Sequence, residues 1–554
     1  MNLTPEERAT GKENFYEAIG SPLTRRDFLV QGITAGVVSG AGLGAMYFGY
    51  EKTIGDPLRV GFIGTGDEGS VLLGAITPSF IQVVAIADIR PYNVWRAFHG
   101  DHSSANVLAV RPGLMSKYGW KSEDEARRNV KVYADDYHEL LADPNVEAVV
   151  IALPLHLHAP VAIEAMKAGK HVLTEKLMAH NVAQCKEMGR VAHDTGKILT
   201  VGHQRHYSIL YDNAVDMIRQ GLIGDIHYIR AQWHRDNLPG HDSWQPPLPD
   251  DKMGQEIAKV QKELDGLKSG EVDALVTKLA QLKAQYTDRD LNAEKYGYQA
   301  ITLGGRPRSA LEELIRWRLW NRTGGGLMAE LGSHQLDAAG IFISGLRADG
   351  KKALPLSVAA MGGREIFPLD RECEDHVYCI YQFPSPEYEQ DNTKTIGVTY
   401  SSINGNGFGG YGETVLGTKG TLLLEREQEV MLFKNASTTT KVTVGKAKSG
   451  KPVLDTTESG GGKAAAIGKQ AIESGPPSRG YTEEIEHWAW CIRNPDPAHQ
   501  PRCNPKVALG DAVIALTTNI AIRENRRIEF QSEWFDIDSD ETPEGIKPDV
   551  SRWS

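Results

Sequence analysis

Gly64-Thr65-Gly66-Asp67-Glu68-Gly69 has the G-x-G-x-x-G spacing that lets a chain hold a pyrophosphate. The first glycine permits a tight turn and the second lets the backbone approach the phosphates. The third allows a helix to pack closely on the preceding strand, with the phosphates at the helix N-terminus. Asp88 follows Gly69 by 19 residues. An acid at that distance, at the end of a second strand, accepts hydrogen bonds from the adenosine ribose hydroxyls and repels a 2′-phosphate. NAD is therefore favoured over NADP, although Arg90, two residues on, softens that preference. Gly64, Thr65, Gly66, Gly69 and Asp88 are the candidate cofactor-binding residues.

These residues need strands and helices to position them. Leu58–Ile63 is a short apolar β-type run entering the glycine loop, and Val71-Leu72-Leu73 opens a helix after it. Val83–Ala87 reads as the second strand. Further on, Ala148–Ala152, His171–Thr174 and Ile198–Val201 read as strands, alternating with helices over Pro160–Ala168 and Val182–Thr195. Such alternation predicts a parallel sheet covered on both faces, with ligands outside the carboxyl ends of its strands. Leu153–His158, Glu175-Lys176 and His203-Gln204-Arg205 fall at those ends and place polar groups around one crevice.

Composition narrows the function classes. The 554 residues allow two to four domains, and 41% hydrophobic with 24% charged residues is ordinary for a globular chain with ample core. Lys plus Arg number 61 against 72 for Asp plus Glu, a formal net charge of -11, which gives no general grip on nucleic-acid phosphates. Five scattered cysteines, none in a C-x-x-C pair, exclude a disulfide scaffold and argue against structural zinc. His203, His206, His227 and His234 fit no metal-ligand spacing, so no metal is expected.

The landmarks together resemble the glucose-fructose oxidoreductase / inositol dehydrogenase family (Gfo/Idh/MocA). The matching stretches are Val60–Gly69, Ile86–Asp88, Ile151–His158 and Ala168–Lys176, then Gly324–Asp337 and Leu416–Leu422, in family order. The resemblance implies an N-terminal Rossmann domain and a C-terminal α/β domain with a large, mainly antiparallel sheet. It also implies NAD(P)-dependent chemistry at a carbon of a sugar or polyol, and a homo-dimer or tetramer formed through that sheet. Two positions depart from the pattern: the family's Glu-Lys-Pro reads Glu175-Lys176-Leu177, and its helix-start aspartate is Glu330.

Oxidising a secondary alcohol requires removal of the hydroxyl proton as hydride leaves. By resemblance, Lys176 and His334 form the catalytic pair, with His334 as general acid/base and Lys176 polarising or orienting the reacting oxygen. The roles are exchangeable, because a desolvated lysine also acts as a base. Glu330 lies four residues before His334, so the two share a helical face toward one cleft. The same resemblance implies that His158, Glu175 and Lys176 line the cofactor site, while His156 is read as structural or peripheral. Trp233 and Arg235, ending the strand Ile226–Trp233, are candidate substrate contacts, an aromatic face and a charged donor for a sugar ring.

Outside this frame, Arg25-Arg26 before the mild apolar run Val30–Tyr50 reads as a twin-arginine export signal. Residues 1–52 are therefore assigned as a signal or possible anchor, 58–202 as the NAD-binding domain, and 203–530 as the substrate and oligomerisation domain. Export by that route leads to a periplasmic or membrane-anchored protein, and a cytoplasmic one if the signal is unused. Within 250–308, Ile257, Val260, Leu264 and Leu267, then Val272, Leu275, Leu279 and Leu282, mark an amphipathic helical hairpin turning at Ser269-Gly270. Residues 445–480 read as a flexible surface loop, and 531–554 as an acidic tail draped over the surface. An exported enzyme without free NAD must regenerate a tightly held cofactor within each cycle. Paired oxidation and reduction does this, and so does glycoside cleavage through transient oxidation, although the tyrosine near the histidine of NAD-dependent glycosidases is missing from Leu327–Ala338. A non-catalytic sugar- or cofactor-binding protein is the third reading.

Overall fold

The computed structural model describes residues 2–21, 23, 43–51, 53–266, 272–456, 463–473 and 479–553. Six strands form a parallel sheet: β1 (Leu58–Ile63), β2 (Ile81–Ala87), β3 (Lys131–Tyr133), β4 (Ala148–Ile151), β5 (His171–Glu175) and β6 (Leu199–Gly202), in the order β3-β2-β1-β4-β5-β6. This is the doubly wound dinucleotide-binding order, whose crevice lies where the strand order reverses beside β1. Strand β4 is buried along its whole length, as a strand covered by helices on both faces must be. The helix Val182–Thr195 covers one face, capped by the Asn181 side chain and ended by Gly196 in the left-handed conformation.

The second domain is built on eight strands: β7 (Ile226–Trp233), β10 (Ser357–Gly363), β11 (His376–Pro384), β12 (Thr395–Ile403), β13 (Tyr411–Gly417), β14 (Gly420–Glu425), β15 (Glu429–Lys434) and β18 (Ile528–Glu529). Their order is β15-β14-β13-β7-β12-β11-β10-β18, antiparallel throughout except for the parallel pair β7–β12. Strand β11 alternates buried and exposed residues, so one face packs inward and the other is open. The helices Ser333–Ser344 and Pro505–Glu524 lie against the inner face. Small hairpins, β8 (Ile301–Leu303) with β9 (Arg306–Arg308) and β16 (Val442–Lys446) with β17 (Pro452–Thr456), decorate the domain.

Helices Asp251–Gly266 and Val272–Tyr286 run where the two amphipathic repeats lie, burying Val260 and Leu279; the turn at Ser269-Gly270 is outside the described residues. The second of the two leaves its own domain and packs on the Rossmann helix Pro91–His99, carrying the first with it. The tail likewise returns to the Rossmann domain. Lys186 Nζ donates to the carbonyls of Glu533, Ser539 and Glu541, and the buried Glu187 carboxylate accepts from Arg552 and Trp553.

Two sequence expectations need correction. The stretch 445–480 is not a loop: it contains the β16–β17 hairpin and the helix Lys463–Glu473. The segment 1–52, assigned as signal or possible anchor, also holds a packed element that the sequence reading did not foresee: Pro5–Gly20 is a helix opened by a Thr4–Glu7 capping box and docked on β15. Phe15, Ala18 and Ile19 are buried there, the Asn14 side chain bonds the carbonyls of Leu432 and Thr440, and Arg8 and Lys12 pair with Glu429. Each large apolar side chain so buried contributes about 1.5–3 kcal/mol. The two corrections share one cause: each helix supplies the other's packing surface, far away in sequence. Their backbones approach so closely that a Cβ on Gly468 would stand 2.0 Å from the Tyr16 carbonyl oxygen, and one on Gly20 1.7 Å from that of Ala464. Leu43–Phe48, within the apolar run, is a short helix against the body, with Phe48 edge-on to Tyr207; Arg25-Arg26 and 30–42 lie outside the described residues. Gly468→Leu is expected to force this pair apart at a cost of about 1–3 kcal/mol. Calorimetry would show a lower melting temperature and trypsin would release the N-terminal segment; an unchanged melt and digest would refute the packing.

Candidate active site

A cavity of about 690 Å³ lies outside the carboxyl ends of β1, β2, β4 and β5, at the predicted crevice. The glycine loop forms its floor. Gly64 has φ of 89°, and a Cβ there would meet the Ala152 carbonyl oxygen at 2.4 Å, so the turn requires glycine. A Cβ on Gly69 would meet the Gly64 carbonyl at 2.3 Å, which is the helix–strand approach. Gly66 faces the cavity with no atom nearer than 3.8 Å to its missing Cβ, at the N-terminus of helix Asp67–Ala75. That open backbone at a helix start fits a pyrophosphate. Thr65 turns the other way: it is fully buried, its N–H donates to Asp88 Oδ2 at 2.8 Å and its hydroxyl to the Asn93 carbonyl at 3.1 Å. Thr65 and Gly69 therefore shape the loop instead of lining the cavity, and Asp88 is oriented by Thr65, Asn93 and the Arg90 N–H.

The chemistry end forms where β5 meets the second domain. Lys176 Nζ donates to the Glu330 carbonyl at 2.9 Å, and the Lys176–Leu177 peptide is cis. Glu330 sits in a π-helical turn, Met328–Gly332, that runs into the helix carrying His334. Burial alone would raise the Glu330 carboxyl, but Lys176, Arg318 and Arg235 outweigh it and hold the group below the ordinary range, with Arg318 Nε 2.8 Å from its oxygen. His334 is pushed well below 6.5, first by burial and then by the charges of Lys176 and Arg205. It is a neutral imidazole at neutral pH, as a proton acceptor must be. Lys176 thus acts on both groups. Glu175 is buried beside Glu68, which pushes its carboxyl up to about 8.

The other predicted residues divide. His158 places its ring nitrogens 2.8 Å from the carbonyls of Leu177 and Leu153, so it ties the β4 end to the Lys176 turn and offers the cofactor no free nitrogen. Trp233 stacks on Tyr411 with ring centroids 4.3 Å apart and lies 5.5 Å from His334, with Arg235 over its ring at 5.7 Å. The pair flanks His334 at the second-domain side. His203-Gln204-Arg205 does not face the crevice. All three are buried, and Arg205 bonds Glu427, Glu413 and the His334 carbonyl. His156 bonds the Thr323 carbonyl.

The four histidines do not converge. His227 is exposed on β7 and His234 sits at its end, whereas His203 and His206 both approach Asp337. Among the described residues, donor atoms of His206, Cys503 and Asp511, and of His203, Asp337 and Asp511, come within 4.8 Å of one another. Lys352 Nζ lies 2.9 Å from Asp337 and 2.6 Å from Asp511, so a lysine supplies the cation there.

Sequence reasoning missed Arg318, Trp317 and Tyr298, which line the cavity from the second domain. None sits in a recognisable motif, so no signal marked them. The raised Glu175 carboxyl has a thermodynamic consequence. Its folded value exceeds its unfolded value, so the stability it contributes is complete below pH 4.5 and is lost progressively up to about pH 8. Glu175→Gln should therefore leave the melting temperature nearly unchanged at pH 5 and raise it relative to wild type at pH 8. An equal difference at both pH values would refute the shift.

Comparison with known proteins agrees with this geometry. Residues 58–203 match the profile described as an oxidoreductase family, NAD-binding Rossmann fold. The inositol 2-dehydrogenase/D-chiro-inositol 3-dehydrogenase of Lactiplantibacillus plantarum is 30% identical over 175 residues, covering 30% of this chain and 41% of the relative. A 1-carboxy-3-chloro-3,4-dihydroxycyclohexa-1,5-diene dehydrogenase of Comamonas testosteroni is 30% identical over 186 residues, 33% of this chain and 39% of that one. The chain thus spans less than half the length of these curated relatives. An NAD-binding oxidoreductase from Klebsiella pneumoniae shares the fold over 86% of this chain and all of its own, with a TM-score of 0.51 at 18% identity. Over residues 58–203 the chain is thus similar to the NAD-binding Rossmann fold of the Gfo/Idh/MocA oxidoreductases.

Proposed function

We propose that the chain is an NAD-dependent oxidoreductase acting at a hydroxyl or keto carbon of a sugar, polyol or glycoside, with its dinucleotide held tightly. The observation that carries this reading is the meeting of Lys176 and ionised Glu330 in a cavity whose floor is the glycine loop, with neutral His334 on the helix that follows Glu330, near enough to feel the Lys176 charge. Two of the relatives are named as dehydrogenases of hydroxylated rings, which supports the substrate class.

Bound NAD supplies the hydride acceptor. Gly66 and the start of helix Asp67–Ala75 hold the pyrophosphate, and Asp88 takes the ribose hydroxyls. Lys176 orients the reacting oxygen and favours its developing negative charge. His334 accepts the hydroxyl proton at a ring nitrogen as hydride leaves. Glu330, fixed by Arg318, balances the Lys176 charge, and Glu175, protonated at neutral pH, adds no second anion there. Trp233 offers an apolar face to a sugar ring beside His334.

Gln281, Gln285, Tyr296 and Tyr298 line the cavity on the side of Asp88 and Arg90. These added contacts from the inserted segment support a cofactor retained through the cycle, which paired oxidation–reduction and glycoside cleavage by transient oxidation both need. Released aglycone without net NADH would mark the second. We further propose that Arg25-Arg26 directs twin-arginine export. The docked helix Pro5–Gly20 suits a route that carries folded proteins. Fractionation should place the wild-type chain outside the cytoplasm and leave the Arg25→Lys/Arg26→Lys variant inside; equal distribution would sink the export reading.

The enzyme reading is tested by native purification, denaturation and mass spectrometry of the released nucleotide. Near-stoichiometric NAD(H) is expected, and an empty site would remove the tightly held cofactor. Lys176→Ala and His334→Ala should each retain the nucleotide and lower turnover by about 10²–10⁴-fold. Unchanged turnover would favour a binding protein.

A further inference from the structure

The helical hairpin and the segment that follows it reach the cofactor cavity at a chemically specific point. Arg90 stands two residues beyond Asp88, where a guanidinium is placed to meet a phosphate on the adenosine ribose. Its Nε donates instead to Asp288 Oδ2 at 2.9 Å. Asp288 follows helix Val272–Tyr286, has no exposed side-chain surface, and also accepts the Tyr92 N–H at 3.0 Å. The insertion is anchored beside this contact by Gln281, whose amide nitrogen donates to the Tyr92 hydroxyl and Asp101 and whose amide oxygen accepts the His102 N–H.

The remaining arginines of the cavity are matched in the same way. Arg96 pairs with Asp67 and Asp101, Arg111 with Asp101, Arg316 with Glu312 and Arg318 with Glu330. Among these arginines, Arg90 alone adjoins Asp88 in sequence, and its partner comes from a segment inserted in the other domain.

We propose that Asp288 is the specificity-determining residue for the dinucleotide: by holding Arg90 it denies a 2′-phosphate its cation, so the site takes NAD and rejects NADP. This rests on the NAD-dependent reading above. A free guanidinium would offer the phosphate a charge-assisted, bidentate contact that offsets the repulsion from Asp88. Held by a buried carboxylate, the same guanidinium has its charge balanced and its Nε occupied.

The test uses the full chain, stripped of nucleotide and titrated separately with NADH and NADPH. Asp288→Asn removes the charge but keeps an acceptor for the Tyr92 N–H, so the insertion stays docked; Asp288→Ala is the second variant. NADPH affinity should rise about tenfold in both, with NADH affinity changed by less than about threefold. Adding Arg90→Ala to Asp288→Asn should abolish the gain. Wild-type protein that binds NADH well, with variants that gain nothing toward NADPH, overturns the role of Asp288 and leaves the NAD reading standing. Wild-type protein that binds NADPH as tightly as NADH also overturns it. Wild-type protein that binds neither dinucleotide overturns the cofactor reading itself.

Discussion

A single buried guanidinium holds the two halves of the active site in register. Arg205, where the chain leaves β6 of the Rossmann sheet and enters the second domain, bonds Glu427 at 2.8 Å, Glu413 at 3.2 Å and the carbonyl of His334. Taking these charges out of water is costly, and burial pushes the Glu413 carboxyl up to about 7. Glu427, beside both Arg205 and Arg479, is held below its ordinary value despite burial. A buried charge pair of this kind stabilises less than its Coulomb attraction suggests, but removing one partner costs about 3–5 kcal/mol. The geometry around it is correspondingly determinate. The helix that carries His334 cannot slide along the sheet without breaking the bond to its own carbonyl.

A second tie crosses between the domains. Lys176 comes from the Rossmann domain and is fixed by a carbonyl of the second. A guanidinium thus anchors one side of the reacting centre and an ammonium the other. Between them lie an ionised Glu330 and a neutral His334, two titratable groups whose environments keep them in different charge states. Acid–base chemistry at neutral pH depends on such a division.

The same exchange of segments recurs away from the centre. The insertion from the second domain walls the adenosine end of the first, and the chain's last residues return to the Rossmann helix Val182–Thr195. The helix Pro5–Gly20 closes the far edge of the second sheet at β15. Each contact joins residues at least 179 apart. The cavity itself is lined by residues of both domains, from Ile63 to Glu330.

Local regularities determined the rest. The glycine spacing required a loop of one shape, because only glycine tolerates the turn at Gly64 and the close approach at Gly69, and the period of apolar residues marked the strands and the hairpin helices. Motifs in family order singled out Lys176, Glu330 and His334, and folding brings the Lys176 ammonium to the Glu330 carbonyl. What tertiary structure alone decided is which polar groups face the cavity. Thr65 turns from the phosphate site because Asp88 captures its N–H, His158 is spent on two carbonyls, and Arg205 faces the second sheet because Glu413 and Glu427 await it. The helix Lys463–Glu473 was hidden in a Gly-, Lys- and Ala-rich stretch, since its packing surface is supplied by residues 5–20. Asp288 and Arg318 carry no sequence signal, because a charge acquires a role only when folding places its partner within about 3 Å in a site that excludes water.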